Sequence, residues 1–158
     1  MEFAVEMEHI TKKYPGVLAN DDVSLAVGIG EIHGLIGENG AGKSTIMNIL
    51  YGLESPDSGV VRLFGRETKI ESPNTAIRHG ISMVHQHFML MPNMSVMQNV
   101  ILGRAPARLG FIDRRAARER ISEIADRYDL SVDADAKVYQ LSVGQKQRVE
   151  IIKALYRR

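Results

Sequence analysis

The run Gly37-Glu38-Asn39-Gly40-Ala41-Gly42-Lys43-Ser44 satisfies G-x-x-x-x-G-K-[ST], a spacing suited to polyphosphate chemistry. Gly37, Gly40 and Gly42 let a backbone curl around phosphate oxygens with no Cβ in the way. Lys43 adds a compact cation for β- and γ-phosphates, and the Ser44 hydroxyl is placed to ligate Mg²⁺. Such a loop works only between a strand end and a helix N-terminus, where unpaired N–H groups and the positive dipole end face the ligand. Both neighbours are predicted. Residues 31–36 (Glu-Ile-His-Gly-Leu-Ile) read as a short apolar strand, and residues 44–53 carry apolar side chains at helical spacing.

The remaining elements are read from periodicity and turn chemistry. Residues 3–10 alternate as a half-buried strand, Tyr14-Pro15-Gly16 turns the chain, and Val23, Leu25 and Val27 share one face of a second strand. Ser55-Pro56-Asp57-Ser58-Gly59 is another turn, followed by a strand over 60–64. Ser72-Pro73 opens a short helix ending at Gly80, and 81–84 is a compact strand running into Gln86. From Ser95 onward the pattern is helical. Asp113 caps a helix with Ala117, Ile121, Ile124 and Tyr128 in one stripe, and Ser142 opens a last helix carrying Val149, Ile152 and Tyr156.

Three features narrow the chemistry beyond a phosphate loop. Gln86 follows a predicted strand at its C-terminal end, where open α/β sheets place ligands. Residues 141–145 (Leu-Ser-Val-Gly-Gln) lie at a helix N-terminus, a second anion site. Tyr14 sits in a turn able to present its ring to an adenine. Together these residues resemble the ATP-binding subunit of an ABC transporter, over nearly the whole chain. Residues 37–44 look like its Walker A loop, Gln86 like its Q-loop glutamine, 141–145 like its signature motif, and Tyr14 like its adenine-stacking aromatic. The wording of 85–92 and 141–150 looks like the subgroup that imports simple sugars or nucleosides, and Val143, where Gly is commoner in the family, is similar to that subgroup's own version.

The resemblance implies an α/β fold, a P-loop NTPase (RecA-like) core with an N-terminal antiparallel β subdomain and an inserted helical signature subdomain. Its segments would be about 1–30 and 58–72 for the β subdomain, 31–57 and 73–88 for the core, and 89–158 for the helical part. It also implies that the chain stops before the Walker B strand, so that by itself it is expected to be catalytically inactive and to expose an open apolar edge. ATP and Mg²⁺ are the implied cofactors. Contacts to ATP extend to Asn39, Ala41, Thr45 and Gln145, with Lys43 and Gln86 as the catalytic residues of this segment and Ser44 and Gln86 at the metal. The implied partners are a second ATP-binding domain packed head to tail, so that Ser142 and Gly144 meet the γ-phosphate held by the other copy. Transmembrane permease subunits, and indirectly a solute-binding protein, would place the subunit on the cytoplasmic face of the membrane.

Composition limits the alternatives. The 158 residues carry a formal net charge of +1, so no bulk field draws the chain to nucleic acid or an anionic membrane. The chain contains no Cys, which excludes disulfides and thiolate metal sites. The Arg-rich stretch 104–120 reads as a solvated helix face. His85 and His87 have no carboxylate cluster beside them and read as polar residues near Gln86, not a metal pair. The cluster Met83, Met89, Met91, Met94 and Met97 suits an adaptable interface. A non-transport ABC ATPase acting on ribosome or nucleic acid shares the nucleotide motifs, but the missing basic surplus and the Met-rich loop favour transport. A small-molecule kinase gives no reason for 141–145. The adenine reading of Tyr14 predicts that Tyr14→Ala weakens ATP by about 1–2 kcal/mol while sparing inorganic triphosphate, because only the base stacks. Equal losses for both ligands, measured by calorimetry on the full-length protein, make Tyr14 merely structural.

Overall fold

Two long antiparallel strands dominate the N-terminal unit of the computed structural model, which describes residues 2–108 and 111–157. β1 (Phe3–Tyr14) and β2 (Val17–Gly28) pair down to Tyr14 and Val17, so Pro15-Gly16 forms the two-residue turn expected from its composition. Met7 and Ile10 of β1 are fully buried. On β2, Val23, Leu25 and Val27 are half-buried while Ser24 and Ala26 are exposed, the face that alternation predicts. The other edge of β1 takes β3 (Ser58–Leu63), which pairs in turn with β4 (Arg66–Glu67), giving the order β2-β1-β3-β4. α1 (Lys43–Tyr51) follows the glycine-rich loop and buries Ile46 and Ile49. α2 (Pro73–Arg78) starts as read from the sequence, with the Ser72 hydroxyl accepting the Thr75 N–H and Pro73 in the first turn.

The two predicted strands at 31–36 and 81–84 are not formed. Both segments run as irregular chain, and Ile32 and Ile36 are 100% and 95% exposed. Their composition is that of buried strands, but a parallel strand exists only through hydrogen bonds to its neighbours. No strand among the described residues pairs with either segment.

The second unit, Ser82–Arg158, is mainly helical. α3 (Val96–Ile101), α4 (Arg114–Arg127) and α5 (Val143–Tyr156) surround one core, with a 3₁₀ turn (Val138–Gln140) before α5. Val96, Val100, Ala117, Ile121, Val149, Ile152 and Tyr156 meet in that core. Each fully buried Val or Ile contributes about 1.5–3 kcal/mol relative to exposure, which holds the helices together. The Asp113 carboxylate accepts the Ala116 N–H, as its N-cap reading requires. Two expectations are corrected. The helical pattern after Ser95 is interrupted by a small ribbon, β5 (Ala107–Arg108) with β6 (Phe111–Ile112). Tyr128 leaves the α4 stripe because it is the helix C-cap and half-exposed, and Ala125 closes the stripe instead. The methionines divide: Met97 is core, while Met89 and Met91 are exposed.

The tightest backbone crossing in the sheet is at Gly59, with φ 102°. A Cβ there would lie 2.6 Å from the carbonyl oxygens of both Glu8 and His9. Gly59→Ala is expected to destabilise the protein by about 1–3 kcal/mol through this strain. An unchanged denaturant midpoint would show that β1 and β3 can part at no cost.

Candidate functional site

Gly42 is the N-cap of α1 and sits in the left-handed region at φ 81°, so no side chain caps this helix. The Ile46 N–H donates to the Gly42 carbonyl at 3.0 Å, which leaves the N–H groups of Lys43, Ser44 and Thr45 outside the helical ladder. Ahead of them the loop tightens through an Ala41 N–H donating to the Glu38 carbonyl at 3.2 Å. The Lys43 ammonium folds back across the loop and donates to the carbonyls of Gly37 at 2.7 Å and Glu38 at 2.6 Å. A cation, a row of unpaired amides and the positive end of a helix dipole therefore share one small concavity.

Strand β2 fixes where that concavity lies. The Asn20 side-chain amide donates to the Gly42 carbonyl at 3.3 Å. A Cβ on Gly42 would stand 2.2 Å from the Ala19 carbonyl oxygen, so only glycine permits the approach. Tyr14 ends β1 at the turn of the same hairpin, partly exposed, with the Lys12 ammonium 5.5 Å from its ring centre. That ammonium also donates to the Ser55 carbonyl at 2.7 Å, which pins it beside the ring. The residues present fit a nucleoside triphosphate. The exposed Ser44 hydroxyl is a hard oxygen donor of the kind Mg²⁺ takes alongside phosphate and water.

Gln86 and residues 141–145 belong to the second unit. Gln86 lies exposed in a bend after the irregular segment 81–84. Ser142 is the N-cap of α5 and forms a reciprocal capping box. Its hydroxyl accepts the Gln145 N–H at 3.3 Å, while the Gln145 side-chain oxygen accepts the Ser142 N–H at 2.9 Å. The Ser142 hydroxyl still has its own proton to donate. Leu141 is buried and anchors the turn, whereas Val143 and Gly144 face open solvent, and a Cβ on Gly144 would meet nothing. Further along α5, Arg148 donates to the Ser131 carbonyl at 3.3 Å, so it braces a loop. The Arg-rich face of α4 is exposed and carries ion pairs, Arg115 with Glu119 on the same helix and Arg118 with Asp135 beyond it.

Sequence reasoning missed four polar residues that the structure places in supporting positions. Asn20 is buried beside the phosphate loop, and its Oδ1 has no hydrogen-bond partner. Glu150, Lys153 and Asn99 reach the loop that follows Gln86. The available signal was a polar residue interrupting an apolar stripe, as Glu150 does between Val149 and Ile152.

Comparison with known proteins shows the family. The family model described as ABC transporter matches residues 20–158. The chain is 51% identical to the guanosine import ATP-binding protein NupO of Bacillus subtilis, over 99% of this chain and 31% of that protein. It is 49% identical to the glucose import ATP-binding protein TsgD13 of Haloferax volcanii, over 97% of this chain and 33% of that protein. It thus spans about a third of the length of these curated relatives. Among solved structures, it is similar to an ATP-binding cassette of an ABC transporter in its ADP conformation, with TM-score 0.84 and 28% identity, covering 99% of this chain and 65% of that one. It also resembles a dimeric bacterial ABC transporter cassette, with TM-score 0.76 and 30% identity, covering 97% of this chain and 69% of that one.

The contact between Gly42 and β2 is open to a direct check. Gly42→Ala must push the loop away from the Ala19 carbonyl and abandon the positive φ, at about 1–3 kcal/mol. ATP affinity in the full-length protein is expected to fall with stability in that variant. Wild-type affinity measured by calorimetry means the loop geometry does not govern binding.

Proposed function

The chain belongs to the ABC transporter family of ATP-binding proteins, and from that premise we propose that it is the N-terminal nucleotide-binding segment of an importer ATPase for a sugar or nucleoside. The observation that carries this reading is the open N-terminus of α1, with Lys43 folded across it. Asn39, Gly40, Ala41, Gly42, Lys43, Ser44 and Thr45 hold the polyphosphate, Tyr14 stacks on the adenine, and the Ser44 hydroxyl takes one position on Mg²⁺. On binding, Lys43 exchanges its two carbonyl partners for phosphate oxygens, trading neutral acceptors for charged ones.

A second ATP-binding domain, head to tail with this one, completes the site. Ser142 donates its free hydroxyl proton, and Gly144 its backbone N–H, to the γ-phosphate bound by the other copy. Gln86 would meet Mg²⁺, which Ser44 also holds, and the attacking water. Loss of the γ-phosphate removes the acceptor bridging the two surfaces, and the pair separates. In this reading passage of the solute falls to permease subunits, with a solute-binding protein delivering it; no described helix is long and apolar enough to cross a membrane.

The test uses the full-length protein with its membrane subunits. ATP hydrolysis that rises when a nucleoside or simple sugar is presented supports the reading; hydrolysis stimulated by ribosomes or DNA replaces it with the non-transport alternative. Lys43→Ala is expected to weaken ATP by about 3 kcal/mol, roughly a hundredfold in Kd, because charged hydrogen bonds to phosphate are lost. Unchanged affinity in that variant sinks the phosphate-loop assignment.

A further inference from the structure

The segment after Gln86 is held to the helices by its backbone. The Met89 N–H donates to Glu150 Oε1 at 2.6 Å, and the Met89 carbonyl accepts from Lys153 Nζ at 2.8 Å. Two residues on, the Met91 N–H donates to Asn99 Oδ1 at 2.7 Å, and the Met91 carbonyl accepts from Asn99 Nδ2 at 3.1 Å. Alternate residues of an extended segment turn both backbone groups to the same side, as in a sheet. Here three side chains stand where a neighbouring strand would. Glu150 is 4% exposed and Asn99 1% exposed, so neither has water to exchange for these bonds. Leu90 packs on the helical core, while the side chains of Phe88, Met89 and Met91 remain exposed. Burial drives the Lys153 ammonium below the usual lysine range, against the opposing attraction of Glu150.

The signature turn and the clamp share one helix. Ser142 caps α5, and Glu150 and Lys153 lie two and three turns further along the same 14-residue rod. We infer that Glu150, Lys153 and Asn99 are positioning residues that lock residues 88–91 to α5, making the exposed Phe88, Met89 and Met91 side chains a rigid extension of the signature helix. A displacement imposed on those side chains then reaches Ser142 and Gly144 through the helix, not through a flexible loop. This rests on the importer reading for what imposes the displacement, a membrane-spanning subunit. The clamp itself does not.

The experiment compares the full-length transporter with Glu150→Ala, Glu150→Gln and Lys153→Met, all outside the ATP-contacting set. Three quantities are read: ATP affinity, amide hydrogen exchange over residues 88–91, and the ratio of solute-stimulated to unstimulated hydrolysis. In Glu150→Ala, exchange over 88–91 is expected to quicken at least tenfold and the stimulation ratio to fall towards one, with ATP affinity within twofold of wild type. Glu150→Gln keeps an acceptor for the Met89 N–H and is expected to retain most of the ratio. Lys153→Met keeps the hydrocarbon stem, and it carries the same prediction as Glu150→Ala should the alanine variant fail to fold. Unchanged exchange in both disruptive variants overturns the clamp. Faster exchange with an undiminished ratio overturns its role in transmission. A wild-type complex with no solute stimulation at all refutes the importer reading instead, and the exchange result still decides whether the clamp exists.

Discussion

Strand β2 and the first residue before α1 meet backbone to backbone, and the phosphate site follows from that contact. With φ 81° at Gly42 the chain turns sharply out of the loop and into the helix, and a Cβ would lie 2.2 Å from the Ala19 carbonyl. The left-handed N-cap has no side chain to spend on the amides behind it. Three N–H groups are therefore left pointing at solvent in a place where the helix dipole already favours an anion. Lys43, as the first residue of the helix, is close enough to close its ammonium over Gly37 and Glu38. The Asn20 bond to the Gly42 carbonyl ties this arrangement to the most extensively paired part of the sheet. A loop with the same composition but no strand against Gly42 would have the donors without a fixed direction.

The chain contains two helix N-termini suited to phosphate, and they differ in how much they have given away. α1 has no side-chain cap at all. α5 satisfies the Gln145 and Ser142 amides within its own capping box, so a ligand there finds only the Val143 and Gly144 amides and the Ser142 hydroxyl proton. Under the function proposed above, the first would enclose a polyphosphate and the second would offer a few donors to one already held elsewhere. The asymmetry accords with the proposed site shared between two copies, one providing the cradle and the other the lid. It is a stronger argument than either motif alone, because a capped and exposed turn makes a poor primary anion site.

Local chemistry was legible in the sequence, and pairing at a distance was not. The caps at Ser72, Ser142 and Asp113, the Pro15-Gly16 turn and the start of a helix directly after the glycine loop all depend on residues within a few positions of one another, and these are found as read. Residues 31–36 and 81–84 have strand composition, but composition cannot supply the neighbour whose hydrogen bonds define a parallel strand. Tyr128 fitted the helical stripe by spacing and left it because α4 ends one residue earlier. Asn20 and Glu150 were invisible for a different reason. Each is a polar residue on a buried face, and its purpose shows only when the partner is located, 22 residues away for Asn20 and 61 for Glu150.

The burial of Glu150 beside Lys153 needs a cause other than stability. An ion pair withdrawn from water recovers little of its desolvation cost, and apolar residues of the same volume often hold a core as well or better. The pair here is also a poor one as an ion pair, with nitrogen and oxygen 3.9 Å apart. Its short bonds go to the backbone of Met89, one to the N–H and one to the carbonyl. An apolar pair in the same place would leave the Met89 N–H and carbonyl without these two partners. The charges are thus better understood as substitutes for a strand edge, which fix the height and register of Met89 along α5. Leu90 can then pack inward while Phe88, Met89 and Met91 stay outside.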